Sequence, residues 1–349
     1  MPTLPCTDKS VRGTRSPSAH AYSPCEKRLA DQVNIMLQVE TLEAIKRSAS
    51  IPSMPMVATR CYEMTQDPHC DLNKLVELLG TDPGIAAVVL RLSNSSLFGL
   101  TRQVSSLHQA MTLLGIKRVR ELVLTRYLVQ KTQEMTTDLI DINYYWRRSL
   151  ATAILSGKFA DVLSPTQRDE AFICGLLADL GVIVMARCMP QVYAPIVANY
   201  RPHGTEDWIH AEYNVMGVSH GEITALILEQ WNLPASVVEG ARYHHASHGD
   251  LPANSAGARL ARIIGAGSII AKTLCETMDP EVALKSCIEG MERVNLDVSV
   301  LAKALDGLEQ QIEDMANLLQ VEVLSSRIFS VISKLLTQTI DAGTPVSVG

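Results

Sequence analysis

The chain has 349 residues, with 31 Lys and Arg against 37 Asp and Glu for a formal charge of -6, and it is 47% hydrophobic but only 5% aromatic. That length supports a sizeable core of about two compact units, while the acidic balance excludes a chain-wide attraction to nucleic acid or anionic membranes, so such contacts need a local patch. With so few rings, Leu, Val, Ile, Ala and Met must fill the interior, as they do where helices pack on helices.

The first 28 residues are polar and punctuated by Pro2, Pro5, Pro17 and Pro24. They lack the apolar stretch of a signal peptide and read as a disordered tail. From Leu29 to Ile45, apolar residues recur at helical spacing until Ser50-Ile51-Pro52-Ser53-Met54-Pro55 breaks the pattern. Asp71 is placed to cap a helix over 72–79, with Gly80 ending it in the left-handed conformation. Asp82-Pro83 opens the next helix, which should stop within 93–96. Ser106 with Gln109 forms a capping box for a helix closing at Gly115, and a second helix follows over 117–130. The most apolar stretch, 172–186, carries Asp179 and is shorter than the roughly 20 apolar residues of a membrane span, so it reads as a core helix. Ser219 with Glu222 makes another capping box, and Asn232-Leu233-Pro234 leads into a helix reaching His244-His245.

After the low-complexity 253–257, a seam of Val298, Leu301, Leu305, Leu308, Ile312, Met315 and Leu319 alternates three and four apart. It fits packing on the chain's own core, with a homodimer seam as the alternative; Gly307 within it argues against a long coiled coil. No strand pattern, fixed repeat or glycine-rich phosphate loop is present, so the fold class is all-α, a compact multi-helix domain over 29–250 (core 41–245) followed by a C-terminal helical region over 251–349. The eight cysteines, Cys6, Cys25, Cys61, Cys70, Cys174, Cys188, Cys275 and Cys287, form no C-x-x-C pair. They read as reduced thiols of a cytoplasmic protein.

The residues able to carry chemistry are Asp179, His220, His244 and His245. Around them the chain resembles a known family, the HDOD domain, a degenerate relative of the HD and HD-GYP metal-dependent phosphohydrolases. The resemblance covers roughly 41–245 and rests on ordered blocks: Ile51-Pro52-Ser53-Met54-Pro55, Thr81-Asp82-Pro83-Gly84, Leu90-Arg91-Leu92-Ser93-Asn94-Ser95, Leu114-Gly115-Ile116-Lys117-Arg118-Val119-Arg120, Trp146-Arg147-Arg148-Ser149-Leu150, Gly175-Leu176-Leu177-Ala178-Asp179-Leu180-Gly181, Gly217-Val218-Ser219-His220, Trp231-Asn232-Leu233-Pro234 and His244-His245. Active relatives carry a first His, a His-Asp pair, another His, a His-His pair and a late Asp. Here Arg148 or Ser149 stands at the first position, Ala178 replaces the His of the pair, Gly267 falls where the late Asp is expected, Val182 replaces a Lys, and no Gly-Tyr-Pro follows.

A metal ion is held by a nearly complete ligand shell, and Arg148 adds positive charge, so the reading is of vestigial metal-site positions with no resident metal or other cofactor. Asp179 then needs donors, which the three histidines could supply. His248 reads as a loop histidine. The resemblance implies a non-catalytic bacterial signal-transduction module that binds signalling proteins. A metal-dependent cyclic dinucleotide phosphodiesterase or phosphohydrolase with a reduced site is the alternative. Lys117, Arg118, Arg120 and Arg126 after Gly115 raise a third reading, a helix pair presenting positive charge to DNA, which the acidic chain does not favour.

Overall fold

The computed structural model describes residues 24–47, 55–67, 69–94, 104–135, 137–201, 208–246, 251, 255–276, 279–323, 331–332 and 334–336. The expectations for 1–23, 48–54, 95–103, His248 and 252–254 lie outside the described residues. Among the described residues there is no strand. The helices are α1 (Pro24–Arg47), α2 (Met56–Gln66), α3 (Leu72–Gly80), α4 (Pro83–Ser93), α5 (Leu107–Leu114), α6 (Ile116–Glu134), α7 (Ile142–Leu163), α8 (Arg168–Leu177), α9 (Leu180–Cys188), α10 (Pro190–Val197), α11 (Trp208–Met216), α12 (His220–Gln230), α13 (Ala235–Arg242), α14 (Ala256–Cys275), α15 (Pro280–Arg293), α16 (Val298–Leu305) and α17 (Leu308–Leu319).

Local capping sets several of these boundaries. Asp71 accepts from the Asn73 and Lys74 amides, and Asp82 from those of Gly84 and Ile85. The Ser219–Glu222 box is complete, whereas Gln109 reaches back to the Ser105 amide while Ser106 caps Gln109. Gly80 remains inside α3 and Thr81 closes that helix, so the expected left-handed stop is absent there. Gly115 does take a positive φ of 80°, which turns the chain sharply between α5 and α6.

α7 is the axis of the molecule. Its side chains are buried on every face from Tyr144 to Ser156, as suits a helix enclosed by neighbours. It packs against α8, α14, α16 and α17, while α13 lies on α14 and α12 on α9 and α13. Helices beyond residue 250 therefore complete the same core. The apolar run 165–188 is long and apolar enough to cross a membrane by composition, yet 83% of its apolar window is buried inside the protein. It also breaks at 178–179 between α8 and α9, where sequence reading expected one continuous helix.

The C-terminal seam breaks as well. Gly307 adopts φ 64° and separates α16 from α17. Leu301, Leu305, Leu308, Ile312 and Leu319 are nevertheless buried, against α7, α4 and α6 of the same chain. Arg147 clamps α17 through a two-pronged ion pair to Glu309, at 3.0 and 2.5 Å, and Lys158 donates to the Ala304 carbonyl.

Candidate metal centre

Asp179 sits in the turn between α8 and α9. The fold of that turn is fixed from α12: the Thr224 hydroxyl donates to the Ala178 carbonyl at 3.0 Å and accepts from the Gly181 amide at 2.8 Å. α9 and α12 approach so closely that a Cβ on Gly181 would run into the His220 carbonyl, so only glycine fits. His220 opens α12, and His244 and His245 follow α13 in a turn rather than lying on the helix itself.

These four residues converge. Asp179 Oδ1 lies 3.6 Å from His220 Nε2 and 3.4 Å from His244 Nε2, and one ligand atom from each of the four, His245 included, falls within 4.8 Å of the others. Asp179 Oδ1 and the three Nε2 atoms are buried without a hydrogen-bond partner. Sequence reading expected the histidines to serve as partners of Asp179, and His220 and His244 do face its Oδ1 at ion-pair distance. His244 Nδ1 faces the Ala241 carbonyl at 2.7 Å, and a carbonyl can only accept, so Nδ1 carries the proton. His220 Nδ1 lies 2.8 Å from Glu212 Oε2, an oxygen that also accepts from the His220 amide. His220 and His244 thus each engage a partner through Nδ1 and turn Nε2 toward Asp179 Oδ1.

Burial pushes the imidazoles of His244 and His245 down, toward the neutral form. Burial alone would raise Asp179, but the Arg148 guanidinium beside it holds its carboxyl well below the usual carboxylate range. The centre brings one carboxylate oxygen and three imidazole Nε2 atoms together, buried and without hydrogen-bond partners, a donor set a cation can satisfy. A tetrahedral site with bonds of about 2.1 Å has edges of about 3.4 Å, close to the separations found here, so the Asp-His-His-His donor set fits one ion.

Asp179's other oxygen is already occupied. Oδ2 accepts from the Tyr200 hydroxyl at 2.9 Å and forms an ion pair with Arg148 Nε at 3.3 Å. The Arg148 guanidinium stands over the rings of Tyr200 and Trp208 at 5.1 and 5.9 Å and donates to Ser268 at 3.2 Å. Trp208 stacks on His220 at 4.4 Å. Ala178 is buried beside Asp179 and supplies no ligand. A Cβ on Gly267 would run into Ser156 of α7; its neighbour Ser268 is the residue that reaches Arg148.

The basic quartet does not form one face. Lys117 and Arg118 are exposed, whereas Arg120 donates to the Thr65 carbonyl and Arg126 to that of Leu319, on different neighbouring helices.

Sequence reading missed Glu212, Thr224, Tyr200 and Ser268. Glu212 is fully buried, and its other oxygen accepts from the Tyr193 hydroxyl. A carboxylate between Trp208 and Met216 with no basic residue at helical spacing was the one available signal.

Comparison with known proteins agrees with this architecture. The chain is 26% identical over 226 residues to an uncharacterized protein of Treponema pallidum (strain Nichols), covering 61% of this chain and 42% of that protein, so the chain spans less than half of that relative's length. Its fold is similar to that of a protein provisionally called a phosphohydrolase from Shewanella amazonensis SB2B, with TM-score 0.66 at 22% identity over 80% of this chain and 97% of that one. An HDOD domain protein with unknown function from Geobacter sulfurreducens gives TM-score 0.64 at 19% identity over 82% and 99%. A protein provisionally called a signal transduction protein from Marinobacter aquaeolei VT8 gives TM-score 0.60 at 20% identity over 85% and 67%. Residues 51–247, more than half of the chain, match the HDOD domain family, and the chain belongs to that family.

Proposed function

We propose that this chain is a regulatory module that works by protein–protein contact in cytoplasmic signal transduction and does not hydrolyse phosphoesters. The observation that carries the reading is the state of Asp179. Two-metal hydrolysis needs ions about 3.5–4 Å apart held by shared ligands, and a catalytic site keeps an open coordination position for water. Asp179 Oδ2 is engaged by Tyr200 and by a guanidinium that cannot lose its proton, which leaves Oδ1 alone for a metal. One ion held by Asp179, His220, His244 and His245 would have four protein ligands, the closed set of a structural site. Bound there, an ion would satisfy Asp179 Oδ1 and the three Nε2 atoms that have no hydrogen-bond partner. It would tie α9, α12 and the turn after α13 together.

The test combines metal analysis of the purified full chain with hydrolysis assays on a cyclic dinucleotide and a simple phosphodiester, with and without excess Mn²⁺ or Fe²⁺. The expected result is up to one ion per chain, lost in the His244→Ala/His245→Ala variant, with no turnover above background in either protein. Metal-dependent turnover that vanishes in the variant would refute the non-catalytic reading.

A further inference from the structure

Two adjoining cavities flank the turn that carries His244. One, of about 360 Å³, is walled by His244, Arg262, Glu292, Arg293 and Asn295; the other, of about 260 Å³, shares Arg262, Arg293 and Asn295 and adds Ser164 and Arg259. Three guanidinium groups therefore face one carboxylate, Glu292, within a chain whose net charge is -6. Among the described residues neither Arg262 nor Arg293 has an ion pair or a hydrogen bond. Arg259 is anchored through Nε to Gln167 at 3.3 Å.

Arg262 and Arg293 both line both cavities, so their positive charge converges on shared space that a bound anion would neutralise. The end of α15 does not oppose one strongly, because its last carbonyls are occupied: those of Met291 and Glu292 accept from the Val294, Asn295 and Leu296 amides. Asn295 is held at φ 52°, a conformation asparagine tolerates, on the wall both cavities share. The larger cavity is of small-ligand size. Guanidinium groups match the paired oxygens of phosphate better than any other cationic side chain does.

We propose that Arg262 and Arg293 form a binding site for a small phosphate-bearing anion, either free diphosphate or the phosphate tail of a nucleotide. The site is separate from the Asp179 cluster but touches its support. α14 carries Arg262 and, less than one turn on, Gly265, whose position packs against the His244 carbonyl. An anion drawn between α14 and α15 thus bears on the backbone that aims His244 and His245, which gives the module a small-molecule input beyond its proposed role.

Isothermal titration of the full chain with inorganic diphosphate, with ATP and with adenosine tests this, each in EDTA so that no metal ion takes part. Diphosphate and ATP should bind saturably and adenosine should not. Tighter ATP than diphosphate assigns the site to a nucleotide, and the reverse assigns it to the free anion. Arg262→Gln/Arg293→Gln should weaken binding by about tenfold or more, and Arg293→Glu, a change at an exposed position, should do so without altering the unliganded melting temperature. No binding of either anion, or undiminished binding in the variants, would each overturn the proposal.

Discussion

Removing Glu309 probes how the C-terminal helices are held. The Arg147 side chain is fully buried while that of Glu309 is 29% exposed, and both guanidinium nitrogens meet a carboxylate oxygen. Glu309→Ala removes the two-pronged carboxylate partner of that buried guanidinium, and breaking such a pair costs about 3–5 kcal/mol. The partial exposure of Glu309 and the remaining contacts of Arg147 favour the lower end, about 3 kcal/mol. At roughly 2–4 °C per kcal/mol for a domain of 150–250 residues, and less for a longer chain, the melting temperature should fall by several degrees. Arg147→Met/Glu309→Leu should recover most of that loss, because an apolar pair of similar volume avoids desolvating two charges. Thermal unfolding by circular dichroism of the wild type, the single variant and the double variant provides the comparison. An unchanged melting temperature in Glu309→Ala, or a double variant as unstable as the single one, would refute the argument that Arg147 depends on Glu309.

Other consequences are open to measurement. Leu308 is fully buried on α17, so Leu308→Ala should cost about 2–5 kcal/mol in denaturant unfolding, with unchanged sedimentation because the seam packs within the chain. Burial depresses the His244 and His245 imidazoles, so in chelator-treated protein the unfolded chain binds more protons than the folded chain as pH falls below about 6.5. Stability should thus hold above that pH and drain away below it, and a melting temperature unchanged between neutral and mildly acidic buffer would contradict this. Lys117→Glu/Arg118→Glu changes two exposed side chains and should leave the melting curve intact; strong duplex DNA binding by the wild type that this variant loses, read at several salt concentrations, would restore the DNA-binding reading.

Features that act over a few residues were legible in the sequence. Asp71, Asp82 and Ser219 each cap the amides beside them, and their side-chain chemistry specifies this locally. Gly80 misled because a glycine can end a helix but need not, and α3 continues until Thr81. The seam of leucines correctly marked a buried face. Its heptad regularity concealed the break at Gly307, where α16 and α17 each follow the surface of α7 separately. The four cluster residues could be named from the sequence, but their electrical character could not. It depends on the Ala241 carbonyl and on Glu212, which reach His244 and His220 only through the fold. Thr224 is invisible for the same reason, since its partners Ala178 and Gly181 lie more than forty positions earlier in the chain.

The position of Arg148 separates loss of a ligand from replacement of a charge. A histidine there would offer a lone pair to an ion; the guanidinium offers fixed positive charge and no lone pair. It is enclosed by Tyr200 and Trp208 and anchored by Ser268, so it is built into the core rather than tolerated at its edge. Arg148→His alone therefore removes a counterion from Asp179 without rebuilding a second metal position. Tyr200 still occupies Oδ2, Ala178 still offers no ligand, and a Cβ on Gly267 would still run into Ser156. Changes at Arg148, Ala178 and Gly267 would therefore have to be made together before ligands for a second ion could be present.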